Sequence, residues 1–251
     1  MYAEIIKNIS GGALNKFKIY DSSKIKYIIS SMLAGFFVGL GLISMGASIS
    51  VFGGLDFPVV KFTNGFIFSL ALSLVIMAGG DLFTGNVLVL STGAMTKTIR
   101  TSDAIKVCAL SYIGNFLGAL LVSFLYMGTG IKDSGVCNAI IELAKVKASF
   151  AFVPMIFKGI MCNILVCLAV LCCIKMKSES AKLIMVFWCI MPFVILGFEH
   201  SIANMTCFII AKAMSPEITI AMIMNNLVPS TIGNIIGGLL VAGGYYFLGR
   251  E

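Results

Sequence analysis

Charge is what this sequence has least of. Only 12% of its 251 residues are charged, against 59% that are hydrophobic, where a soluble domain carries about a quarter charged residues. A water-soluble globular domain of this length is excluded, and a polytopic membrane protein takes its place. Histidine is almost absent too, His200 being the only one. One histidine rules out bis-histidine haem and any paired-histidine zinc motif. No cofactor or metal is expected, and a membrane enzyme is disfavoured. The cysteines form no Cys-x-x-Cys; they lie mostly in or beside apolar runs, with Cys137 in a polar loop, and read as small apolar fillers. The segment Met1–Asp21 lacks the continuous apolar core of a secretory leader. It is expected to be an amphipathic helix at the membrane surface, within a cytoplasmic N-terminal segment covering residues 1–27.

With mean hydropathy at +1.03, apolar runs dominate what remains. A membrane span needs about 20 apolar residues, so this length allows about six helices and no soluble domain of useful size. The runs fall at 28–52, 62–95, 104–127, 150–174, 183–213 and 218–248, within a channel domain covering 28–251. Pro229 is expected to kink the last. Asp56, Pro58 and Lys61 mark the first connection. The longest loop, 128–147, carries Lys132, Asp133, Glu142, Lys145 and Lys147. Basic residues crowd the N-terminus, the 97–106 region, the 175–182 loop and the C-terminus, so the positive-inside rule puts both termini in the cytoplasm. The net charge of +7 is therefore a topology signal, and no nucleic-acid partner is expected.

Two apolar runs are interrupted in the same way. Gly79-x-Asp81-x-x-x-Gly85-Asn86 aligns without a gap with Gly197-x-Glu199-x-x-x-Ala203-Asn204. At matched spacing downstream come Gly114-Asn115-Phe116-Leu117-Gly118 and Gly233-Asn234-Ile235-Ile236-Gly237. Together they indicate duplication. Each half, 28–128 and 150–248, holds an odd number of spans, so the second must insert upside down. The expected fold is an all-α membrane protein of six transmembrane helices, built as two inverted three-helix repeats with broken second and fifth helices. In such folds the breaks meet near the bilayer midplane and form the substrate site.

Ionisable groups at membrane depth are expensive and mark function. Asp81 and Glu199 are expected to accept hydrogen bonds from loop amides, with proton transfer as the alternative. Half-helices starting near Asn86 and Ile202 offer unbonded amides and positive dipole ends. His200 serves either as a neutral hydrogen-bond partner or as a cation, and Thr84 adds a hydroxyl. This chemistry suits a small anion or its conjugate acid; an inorganic cation would want more carboxylates or carbonyl rings.

Leu82-Phe83-Thr84-Gly85-Asn86, the two Gly-Asn-x-x-Gly elements, Asn163-Ile164-Leu165-Val166-Cys167-Leu168-Ala169 and Phe198-Glu199-His200-Ser201-Ile202-Ala203-Asn204-Met205 resemble the formate/nitrite transporter family throughout all six runs. One departure is Gly80-Asp81, where many members have Ala-Glu or Ala-Asp. The resemblance implies an aquaporin-like fold in a homopentamer, with one pore per protomer, a lipid-plugged central axis, and small monovalent anions such as formate, nitrite or hydrosulfide as substrates. It implies a prokaryotic plasma membrane location. It assigns the pore histidine to His200, its hydroxyl partner to Thr84, flanking polar groups to Glu199 and Asn163, and the basic residue of the outer vestibule to Lys147. Apolar constrictions fall on Leu72, Leu82 and Phe193 on one side, and on Phe68, Phe83 and Val166 on the other; by residue type alone, Leu72, Phe68 and Phe193 read as core. The nearest branch in overall character is the hydrosulfide-conducting one. A proton-coupled formate or nitrite transporter is the alternative, whereas a neutral-solute channel of aquaporin type would carry two Asn-Pro-Ala loops, which this sequence lacks.

Overall fold

Hydroxyl side chains start four helices. Ser23, Ser134, Ser178 and Thr219 each accept a hydrogen bond from the backbone amide three residues on, satisfying one of the donors a helix start leaves open. The computed structural model describes residues 1–55, 58–130 and 134–250; Asp56, Lys132 and Asp133 lie outside the described residues. Among the described residues all regular structure is helical. The order is α1 (Tyr2–Ser22), α2 (Lys24–Val51), α3 (Pro58–Met77), α4 (Phe83–Met95), α5 (Thr101–Met127), α6 (Gly135–Ala148), α7 (Phe152–Lys175), α8 (Glu179–Ile195), α9 (Ser201–Met214) and α10 (Ile220–Gly249). Five of them, α2, α3, α5, α7 and α10, are long and apolar enough to cross a membrane, and α4 and α9 are shorter apolar helices. This is a multi-pass, all-helical membrane protein.

Residues 78–82 separate α3 from α4, and residues 196–200 separate α8 from α9. Each break contains a glycine in the left-handed region, Gly79 at φ +86° and Gly197 at φ +66°, where a Cβ would be strained. Around the breaks α2 packs on α5 and α3, α7 packs on α10 and α8, and α3 meets α8. The Gly-Asn-x-x-Gly elements set how close these helices come. A Cβ on Gly118 of α5 would stand 2.0 Å from the Met32 carbonyl oxygen of α2, and one on Gly237 of α10 would stand 2.4 Å from that of Ile160 on α7. Only glycine allows such backbone contact.

One expectation changes. The loop expected at 128–147 contains α6, whose face Cys137, Ala139, Ile140, Leu143 and Ala144 is buried against α9 and α2. Its helical period was masked by Glu142 and Lys145 on the other face and by Lys147, a charge on the buried face itself, and Cys137 is buried. The N-terminal segment forms a helix, and Ile5, Ile6, Ile9 and Ala13 of α1 are buried, with α1 packed on α4 and α10. Pro229 lies inside α10, which continues on both sides of it.

Gly118→Ala should destabilise the protein by about 2–3 kcal/mol through overpacking. Gly11→Ala, on an open face of α1, should be neutral or stabilise by up to about 1 kcal/mol. Thermal denaturation of the purified variants measures both, and equal melting temperatures would contradict the tight α2–α5 contact.

Candidate functional site

A chain that leaves the helix at membrane depth must find partners for its freed amides and carbonyls. Here one asparagine does so at each break. Asn115 of α5 accepts from the Phe83 amide at 2.8 Å and donates to the Ser31 and Asp81 carbonyls at 2.7 and 2.9 Å. Asn234 of α10 accepts from the Ser201 amide at 2.9 Å and donates to the Gly159 and Glu199 carbonyls, both at 2.9 Å. The match extends to the backbone: Asp81 N–H donates to the Ser30 carbonyl at 3.2 Å, and Glu199 N–H to that of Lys158 at 3.3 Å. The half-helices start at Phe83 and Ser201, and their first amides are already engaged.

The carboxylates therefore bond side chains, and not the loop amides expected from the sequence. Asp81 pairs with Lys16 of α1 and accepts from Ser30 Oγ at 2.9 Å and the Tyr27 hydroxyl at 3.5 Å. Glu199 accepts from Lys147 Nζ at 3.0 Å on each oxygen, and from Asn204 and Asn226 Nδ2 at 2.6 and 3.4 Å. Asn226 also donates to the Lys147 carbonyl at 2.9 Å. Each break is thus tied by an acid–lysine pair to a helix outside it, α1 or α6. Lys16, Tyr27 and Asn226 carried no motif that would have singled them out. Outside the spans, Lys145 bridges Glu217 at 2.7 Å and Glu142 at 3.1 Å; its hydrogen bond to the Glu217 carboxylate holds the Lys145 pKa up and that of Glu217 down.

His200 occupies the N-cap of α9. Its Nδ1 accepts from the Ala203 amide at 3.2 Å, and its Nε2 lies 3.0 Å from Thr84 Oγ of α4. An Nδ1 that accepts leaves the proton of the neutral ring on Nε2, so Nε2–H donates to Thr84 and the Thr84 hydroxyl proton points elsewhere. The ring stacks beside Phe193, 6.2 Å between centroids and 18° from parallel. Asn163 of α7 donates to the Thr84 carbonyl at 3.2 Å and to the Asn234 carbonyl at 2.5 Å, while its buried Oδ1 has no partner.

Two cavities meet at this histidine. A vestibule of about 410 Å³ is lined by Lys61, Asn64, Phe68, Lys147, Phe150, Lys158, Phe193, Glu199 and His200, among others. Beyond it, a cavity of about 10 Å³ is enclosed by Val38, Phe68, Ala71, Leu72, Leu82, Val166, Ile190, Phe193 and His200. Of the expected constriction residues, Leu72, Leu82, Phe193, Phe68 and Val166 all border it. Among them, Phe68 and Phe193 pair edge to face at 5.9 Å. Phe83 stands apart, against Tyr112 at 4.8 Å, lining a separate apolar cavity between α4, α5 and α10. Val38, Ala71 and Ile190 escaped the sequence reading, because nothing separates them from ordinary core residues.

The formate/nitrite transporter family model matches residues 3–248. The chain belongs to the formate/nitrite transporter family. It is 34% identical over 250 residues to an uncharacterized transporter, YwcJ, of Bacillus subtilis (strain 168), covering 98% of each chain. It is 33% identical over 252 residues to the nitrite transporter NirC of Salmonella typhimurium, covering 98% of this chain and 92% of that one. Among solved structures, an FNT family ion channel superposes with TM-score 0.91 at 31% identity over 99% of both chains. A pentameric formate channel with formate bound superposes with TM-score 0.80 at 28% identity, over 89% of this chain and 96% of that one.

Lys147→Met leaves Glu199 buried without its cation and should cost about 3–5 kcal/mol. Adding Glu199→Gln should recover most of that loss, and the thermal stabilities of the two single variants and the double variant measure the coupling. Additive losses would contradict the ion pair.

Proposed function

We propose that the protein is a homopentameric membrane channel for small monovalent anions and their conjugate acids, with one pore in each protomer. The observation that carries this is the His200–Thr84 hydrogen bond at 3.0 Å, set where a small apolar cavity meets a polar vestibule. Family membership and the pentameric formate channel neighbour support the assembly and the substrate class. In this reading the protomer has six membrane spans, with α3–α4 and α8–α9 as the broken second and fifth, in two inverted repeats. The matched hydrogen bonds at the two breaks support the repeat. Both termini, including the N-terminal segment 1–27, lie on the cytoplasmic side of a prokaryotic plasma membrane. No chemical reaction is assigned to the chain.

The anion enters the vestibule beside Lys147 and Glu199 and meets the Phe68–Phe193 pair. Beyond it, Leu72, Leu82 and Val166 leave no polar partner except at His200 and Thr84, and a bare charge there would cost several kcal/mol. His200 Nε2–H holds the Thr84 oxygen, which leaves the Thr84 hydroxyl proton for another acceptor. Asn163 fixes the Thr84 backbone. The cavity of about 10 Å³ is about the size of one water molecule. Hydrosulfide is the substrate we favour, because a small polarisable anion sheds water into apolar surroundings more readily than a strongly hydrated one; formate and nitrite meet the same condition. The same hydroxyl–imidazole chain can share a proton with a weak acid, which supports proton-coupled formate or nitrite transport as the second reading.

His200→Asn keeps an N-cap side chain and should fold normally, yet lower anion flux at least about tenfold through loss of the Nε2–H to Thr84 hydrogen bond. Liposome flux of hydrosulfide, formate, nitrite and chloride across pH tests it. Unchanged flux and pH dependence would sink the histidine role. The anion passed fastest identifies the substrate, and accumulation against a gradient would establish the coupled transporter.

A further inference from the structure

Lys147 is the vestibule's obvious cation, but both oxygens of Glu199 bond its ammonium, and the pair is close to neutral from a distance. The remaining charges on the vestibule wall are Lys61 and Lys158. Among the described residues neither stands in an ion pair.

Lys158 is the better placed of the two. Its Nζ donates to the Gly197 carbonyl at 2.9 Å and lies 4.2 Å from the centre of the Phe150 ring. An ammonium carries three donors, so the Gly197 bond leaves N–H groups for an occupant. The carbonyl and the ring hold the long side chain in one place, which reduces the entropy lost when it grips a ligand. The same residue's backbone carbonyl accepts from Glu199 N–H, so the cation is fixed to the break that carries His200. On α3, Asn64 lines the same vestibule, 6% exposed, one helical turn from Phe68. Its amide oxygen is buried without a hydrogen-bond partner. A carboxamide so placed offers donors to an anion and an acceptor to its protonated acid.

We propose that Lys158 and Asn64 form a docking station for the small monovalent anion, in the vestibule before the Phe68–Phe193 pair. This rests on the anion-channel reading above. Lys158 supplies the net charge that concentrates anions at the mouth, because Lys147 is committed to Glu199. Asn64 supplies a neutral grip that holds the anion or the acid equally well as it sheds water.

The test is initial flux against anion concentration, in proteoliposomes at low and at physiological salt, for the wild type, Lys158→Met, Lys158→Arg and Asn64→Leu. Loss of the Lys158 charge should raise the half-saturating concentration about three- to tenfold, with maximal flux within about twofold of wild type. It should also flatten the salt dependence. Lys158→Arg should restore both, and Asn64→Leu should raise half-saturation without changing the salt dependence. A Lys158→Met protein with wild-type half-saturation and salt dependence overturns the proposal. So does one that loses only maximal flux, since that marks an anchor for the Gly197 loop. In either case a conducting wild type leaves the channel reading standing. A wild type that passes none of the anions above protein-free liposomes overturns both.

Discussion

Everything in this molecule depends on satisfying non-helical backbone where lipid offers no hydrogen bonds. Two asparagines carry that load. Each accepts one amide and donates to two carbonyls, so the ends of a break and the neighbouring helix are fixed by one side chain. The amide can reach because glycines beside it let α5 approach α2, and α10 approach α7, to backbone contact. The Gly-Asn-x-x-Gly element is therefore one device with two parts: the glycines bring the helices together and the asparagine bonds the strand between them.

With the breaks held, the polar side chains within them take different roles. Asp81 and Glu199 face lysines from α1 and α6, which joins those two helices to the breaks. His200 does not share in that network. It caps α9 through Nδ1 and bonds Thr84 through Nε2, linking the two half-helices across the site. A ring bonded at both nitrogens is fixed in orientation and tautomer.

Much of this was legible in the chain. The breaks, the paired Gly-Asn elements and the isolation of His200 among apolar residues all follow from residue type and spacing. The α6 helix was harder to see, because its buried face is short and its charged face dominates the composition. The side-chain partners of Asp81 and Glu199 were not readable either. Lys16 lies 65 positions from Asp81, and Lys147 lies 52 from Glu199; no local pattern encodes such distances. Phe68 and Phe193 read as core by residue type, since an aromatic bordering a small cavity and one filling a core obey the same preference for apolar contact.

By itself the sequence determined the solvent, the helices and the places where helices must stop. Hydrophobicity and glycine conformational freedom are properties of single residues and short windows. The tertiary structure decided which acid meets which lysine, that Phe83 faces Tyr112 and not the cavity beside His200, and that Lys147 is bound to Glu199 while Lys158 keeps donors to spare. Those outcomes depend on distances between segments far apart in the chain. They are set by how closely the helices pack, and become definite only once the whole bundle has formed.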